Sequence, residues 1–241
     1  MQPDLTGRSA VVTGASRGIG AAISRALASH GAHVFLAARS EADLRSLAGE
    51  IRSSGGSASE VPTDLSSEAQ IVALFDTVRE RAGGLDILVN NAGIGIYGKV
   101  VDFAAEDLDR MYQINLRGMF LCSREAMRLM VPAGTGYIIS IASVLGFKGY
   151  PNQAGYTASK HGVMGITKAL AVEAQEHGIR VSAVLPGAVY TDLVRAARPD
   201  LDPAELLDPD DVAGAILYLL SLSERAAVDE IYIRRRKSSP F

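Results

Sequence analysis

The stretch Ala10-Val11-Val12-Thr13-Gly14-Ala15-Ser16-Arg17-Gly18-Ile19-Gly20-Ala21-Ala22-Ile23 changes character at its middle, and that change decides the fold. A short apolar run passes through three glycines into a segment of helical period that continues as Ser24-Arg25-Ala26-Leu27. Without Cβ atoms the backbone can turn tightly between strand and helix and approach a ligand closely. Free amides at a helix start, reinforced by the helix dipole, attract a pyrophosphate. Gly14, Ser16, Arg17, Gly18, Ile19 and Gly20 are therefore candidate cofactor-binding residues. The spacing is not the generic G-x-G-x-x-G, because Ser16 and Ile19 stand at its second and third glycine positions.

Outward from this turn, short β-branched runs alternate with longer helical segments, the pattern of βαβ units feeding a parallel sheet. Strands are expected at 10–12, 33–36, 58–61, 87–89, 137–141, 181–185 and 231–233, mostly unbroken apolar runs as in strands covered on both faces. Helices are expected near 18–30, 41–53, 67–82, 105–130, 155–177 and 209–222. The expected fold class is α/β, a single doubly wound (Rossmann-type), mostly parallel seven-stranded sheet with helices on both faces. The 241 residues make one domain over 1–241, since such units reach roughly 250 residues around one core. The stretch 192–211 breaks the pattern with three prolines and seven carboxylates, and reads as a loop with a short helix.

Composition narrows the function classes. Apolar residues make up 48% and charged residues 21%, which excludes a disordered or collagen-like chain. A net charge of −3 gives no cationic field for nucleic acid. No apolar run approaches the roughly 20 residues of a membrane span, and the start MQPDLTGRS does not read as a signal peptide. The lone Cys122 forbids an intrachain disulfide, so a reducing, cytoplasmic setting fits; it reads as a small core residue. His30, His33, His161 and His177 lack metal-ligand spacing, and no metal site is expected.

The second strand ends in Ala37-Ala38-Arg39-Ser40, where an NAD enzyme of this fold carries an acid for the ribose 2′-hydroxyl. A guanidinium there pairs with a 2′-phosphate instead. Arg39, with Arg17 and Ser40, points to NADP (NADPH). Farther on, Tyr156-Thr157-Ala158-Ser159-Lys160 puts a phenol and an ammonium at i and i+4, on one helix face. A cation about 4 Å away is able to lower a phenol pKa by up to about 3 units from its usual value near 10. On this reading the pair is a proton donor and acceptor.

With these residues in view, the chain resembles the short-chain dehydrogenase/reductase family over nearly its whole length. Thr13 to Gly20 is similar to that family's T-G-x-x-x-G-x-G turn. Asn90-Asn91-Ala92-Gly93 resembles its N-N-A-G motif. Tyr156 and Lys160 match Y-x-x-x-K, with Ser143 at the position of the catalytic serine. Pro186-Gly187-Ala188-Val189-Tyr190-Thr191 resembles P-G-x-x-x-T, and Asn115 matches the helix asparagine that completes a tetrad. The resemblance implies hydride transfer between a nicotinamide and a carbonyl or secondary alcohol, of the carbonyl or 3-oxoacyl reductase type. Tyr156 is then the proton donor or acceptor, Lys160 lowers its pKa and holds the nicotinamide ribose, Ser143 supports the reacting oxygen, and Asn115 binds a water linked to Lys160. Asp64 and Leu65 bracket the adenine. Asn91, Ala92, Gly93, Pro186, Gly187, Val189 and Thr191 complete the cofactor contacts. An NADP-sensing regulator without turnover is the alternative, disfavoured by the intact tetrad.

Ala158, Gly162, Gly165 and Ala169 line one side of the helix that carries Tyr156, and the resemblance implies a homo-oligomer, dimer or tetramer, formed through it. Ile94, Tyr97, Phe147 and Tyr150 suggest an apolar or ring-bearing substrate. The 192–211 stretch is expected to close over the nicotinamide. The family's glycine-rich end is replaced by Val228-Asp229-Glu230-Ile231-Tyr232-Ile233-Arg234, followed by cations to Lys237 that read as a solvated tail.

Overall fold

The computed structural model describes residues 2–238, with Ala196 described by its backbone alone. Its main elements are β1 (Ser9–Thr13), α1 (Gly18–Ser29), β2 (His33–Ala38), α2 (Glu41–Ser53), β3 (Ser57–Pro62), α3 (Glu68–Ala82), β4 (Ile87–Asn90), α4 (Ala105–Tyr112), α5 (Met119–Ala133), β5 (Gly136–Ile141), α6 (Ala154–Gln175), β6 (Ile179–Pro186), α7 (Asp192–Ala197), α8 (Pro209–Ser221) and β7 (Glu230–Ile233). The seven strands form one all-parallel sheet in the order β3-β2-β1-β4-β5-β6-β7. Helices cover both faces, as the unbroken apolar strands require.

Alternation along the strands divides the interior into two cores. Val12, Leu36, Val89 and Ile139 pack on one face with Ile23 and Leu27 of α1, Leu44 of α2 and Ile216 of α8. Val11, Phe35, Leu88 and Ile138 pack on the other with Leu74 of α3 and Met130 of α5. Register holds the layers in line: Val11 lies beside Phe35 on one flank and Leu88 on the other. Each fully buried aliphatic or aromatic side chain contributes about 1.5–3 kcal/mol by leaving water.

The strand order reverses between β1 and β4. In a parallel sheet this topological switch opens a crevice at the carboxyl ends of the strands, where ligands bind. The chain therefore brings the ends of its first and fourth strands, Thr13 and Asn90, to the place where a site forms.

Three expectations are corrected by the structure. The helix expected over 105–130 is interrupted by a wide π turn, Gln113–Gly118, whose buried Asn115 bonds sideways to the main chain of Ile94. The small-residue stripe on α6 does not form one free face: Ala158, Gly165 and Ala169 are exposed, but a Cβ at Gly162 would meet Leu116 Cδ2 at 2.7 Å, so that position packs inward. The cationic end is not a loose solvated tail. Arg234 donates to the carbonyls of Arg235, Arg236 and Ser238, and Lys237 pairs with Glu205 at 2.6 Å, tying the end to the turn Pro203–Glu205.

Among the described residues, no helix is long and apolar enough to cross a membrane.

Candidate active site

The crevice at the switch point is stapled by side chains. Thr13 Oγ1 accepts hydrogen bonds from the main-chain N–H groups of Asn91 and Ala92 at 3.0 and 3.1 Å, and Asn91 Nδ2 returns bonds to the carbonyls of Thr13 and Gly14 at 2.9 and 3.2 Å. The closeness of the two strand ends explains two of the glycines. A Cβ at Gly20 would collide with the Gly14 carbonyl oxygen and the Asn91 side chain, and Gly14 sits at φ +64° against Ala92. These glycines admit the chain itself to the turn. The helix that follows, α1, has no side-chain cap at its amino end, unlike α2 and α3, which Ser40 and Ser67 cap. Its first N–H groups lack helical partners and stand at the turn that lines the cavity.

That cavity has a volume of about 750 Å³, within the range of small-molecule and cofactor sites. It runs from the α1 turn and the end of β2 to the end of β5 and the start of α6. All the candidate cofactor-binding residues named from the sequence line it, as do Ser143, Tyr156, Lys160 and Ile94; Asn115 lies buried behind the wall, and Tyr97, Phe147 and Tyr150 stand outside the lining. An uncapped helix start, an arginine at the end of β2 and a volume of this size fit a phosphorylated dinucleotide.

At the β2 end, Arg39 is exposed at the cavity edge. Its charge helps hold the Asp64 carboxyl below the usual range, after the larger effect of the Ser66 main-chain N–H. Ser40 Oγ accepts from Asp43 N at 3.4 Å as the cap of α2. Arg17 does not stand free beside Arg39. Its Nη1 pairs with Asp192 Oδ2 at 2.7 Å, across from the glycine turn to the first residue of α7.

The opposite end is built from buried side chains. Ser143 closes β5 and its hydroxyl accepts from Leu145 N at 3.2 Å. Tyr156 and Lys160 rise from the first turns of α6, and Lys160 Nζ donates to the Ile141 carbonyl at 2.9 Å. The ammonium lies 5.7 Å from the centroid of the Tyr156 ring. Burial pushes the Lys160 ammonium down to about 8. Burial also pushes the Tyr156 phenol upward, with the Tyr97 phenol adding to it and a hydrogen bond with Ser143 opposing it. The expectation that Lys160 lowers this phenol is thus overturned in the free protein. Desolvation acts on both groups, and the ammonium bonds to a carbonyl rather than to the phenol oxygen.

Three contributors were not singled out in the sequence. Ser159, fully buried, accepts from Asn115 Nδ2 at 3.1 Å and donates to the Tyr156 carbonyl at 2.7 Å, coupling the π turn to α6. Its place three residues after Tyr156, on the same face, was the available signal. Thr13 supplies the staple, and its signal was its position at the end of the first strand. Asp192, which holds Arg17, gave no local signal because its partner is 175 residues away.

A family model, short chain dehydrogenase, matches residues 8–202. An uncharacterized oxidoreductase of Staphylococcus aureus is 35% identical over 230 residues, covering 95% of this chain and 98% of the relative. A D-beta-hydroxybutyrate dehydrogenase of Rhizobium meliloti is 40% identical over 195 residues, 80% of this chain and 76% of the relative. Among solved structures, a metagenomic short-chain oxidoreductase in complex with NADP superposes with a TM-score of 0.86 at 36% identity, over 98% of this chain and 100% of that one.

Proposed function

This chain belongs to the short-chain dehydrogenase family and is an oxidoreductase; from that premise we propose that it is an NADP-dependent carbonyl reductase acting on ketones or the matching secondary alcohols. The observation that carries the reading is the convergence of Ser143, Tyr156 and Lys160 at one end of a cavity whose other end holds the uncapped α1 turn and Arg39. The dinucleotide, when bound, supplies the hydride at its nicotinamide. Tyr156 donates its proton to the carbonyl oxygen, a transfer typically worth about 10²–10⁴ in rate. Burial keeps the phenol protonated, so it holds a proton to give. Ser143 donates a hydrogen bond to the oxygen where negative charge grows. Lys160 holds the nicotinamide ribose, and Asn115 fixes the Ile94 main chain and holds a water that links Lys160 to solvent.

Arg39 would meet the 2′-phosphate, with Arg17, paired to Asp192 in this structure, the second cation at that end. Ser16, Gly18 and Ile19 cradle the pyrophosphate; Val189 and Thr191 hold the carboxamide; Asp64 and Leu65 bracket the adenine. The NADP-bound metagenomic relative supports the choice of cofactor, and the hydroxybutyrate dehydrogenase supports a ketone and secondary-alcohol class. The exposed small residues of α6 suit assembly into a dimer or tetramer. The test is absorbance at 340 nm with NADPH or NADH and a panel of ketones. Ketone-dependent oxidation of NADPH in preference to NADH is expected; cofactor binding without oxidation on any ketone contradicts the reading.

A further inference from the structure

We propose that Tyr97 is a specificity-determining residue whose hydroxyl donates a hydrogen bond to a second acceptor oxygen of the substrate, so that the preferred substrates carry another carbonyl close to the one being reduced, as cyclic diketones and 3-oxo esters do. The inference rests on the reductase reading above.

The Tyr97 ring stands edge-on to that of Tyr156, with centroids 5.6 Å apart and planes at 63°. The wall around the two phenols is apolar, with Met111, Val144 and Leu145 buried in it and Ile94 and Ile96 against it. Two of the neighbouring polar groups are committed, Lys160 to Ile141 and Asn115 to Ile94 and Ser159. The Tyr97 hydroxyl has no hydrogen-bond partner among the described residues, and its side chain is only part-buried. Its seat is specific. A Cβ at Gly95 would fall within contact of the Tyr97 hydroxyl oxygen, so a bare Cα is what allows the phenol to lie there.

A substrate that covers this hydroxyl takes it from water, so one that brings an acceptor to it is favoured over an analogue that leaves it unpaired. Sites built to bond a polar substrate atom discriminate far better than apolar pockets discriminate by size. Burial holds the Tyr97 phenol up to about 12, so it stays a neutral donor through the working pH range.

The experiment compares kcat/KM for a cyclic diketone and the monoketone of the same ring, in the wild type and in Tyr97→Phe, with saturating NADPH. Phenylalanine keeps the ring against Tyr156 and removes only the hydroxyl. The diketone-to-monoketone ratio is expected to fall about tenfold, in line with one hydrogen bond. Gly95→Ala, which places a methyl in the hydroxyl's seat, is expected to lower the same ratio. A ratio that stays within twofold in Tyr97→Phe overturns the proposal, because a purely structural role lowers both substrates together. A wild type active on both ketones without preferring the diketone overturns this inference alone. A wild type that binds NADPH but reduces neither overturns the reductase reading and this inference with it.

Discussion

The two ends of the cavity are made of different materials. The end at β1 and β2 is main chain: glycines, an uncapped helix start and a Thr13–Asn91 staple, edged by exposed charges. The end at β5 and α6 is side chain, with Ser143, Tyr156, Ser159 and Lys160 all buried and two of them pushed from their ordinary pKa values. Backbone sites tolerate most changes except the addition of a Cβ where chains nearly touch. Buried polar sites instead hold reactive groups at a cost in stability.

The largest effect is expected at the main-chain end. Gly20→Ala forces the turn away from the Gly14 carbonyl and Asn91, a clash of the kind that costs about 1–3 kcal/mol when surroundings cannot yield. A lowered melting temperature together with NADPH affinity reduced at least a hundredfold, read by fluorescence titration, is the expected result. Gly165→Ala, where a Cβ meets nothing within 4 Å, is the control and gains up to about 1 kcal/mol of helix stability. Equal behaviour of the two variants breaks the contrast.

At the side-chain end, Lys160→Met is expected to abolish turnover yet make the protein more stable at pH 7. Burial brings the ammonium down to about 8, which corresponds to about 3 kcal/mol against holding the charge, and about 1 kcal/mol of this is returned when the bond to Ile141 is lost. Between about pH 8 and 10.5 the folded wild type has released this proton while the unfolded chain still binds it. Wild-type stability from this group therefore rises with pH across that window, and the advantage of the methionine variant shrinks. Urea melts at pH 7 and pH 10 measure it; a methionine variant less stable at pH 7 contradicts a desolvated charge.

The smallest effect concerns the exposed edge. Arg39→Asp is expected to shift the preference between NADPH and NADH about tenfold toward NADH, since a carboxylate repels a 2′-phosphate and accepts from a ribose hydroxyl. A variant that still favours NADPH tenfold removes Arg39 from the phosphate site.

How much of this was legible in the sequence follows from how far each interaction reaches. The strands and helices were readable because short unbroken apolar runs and period 3.6 are local, and the turn at Gly14–Gly20 because its glycines fall within seven residues. The π turn at Asn115 was not, because the Ile94 main chain to which its side chain bonds lies 21 residues away. The Arg17–Asp192 pair spans 175 residues and left Arg17 looking free beside Arg39. The shift of Tyr156 was read in the wrong direction for the same reason. Lys160 is its neighbour along the helix, but the burial that dominates comes from other parts of the chain that the helix spacing does not reveal.

The most direct test is single-turnover oxidation of NADPH by Tyr156→Phe with a ketone that the wild type reduces, measured beside its NADPH affinity. The account predicts a rate at least a hundredfold lower with cofactor affinity within threefold of the wild type. An unchanged rate contradicts it, because the proton would then come from elsewhere than the phenol in this cavity.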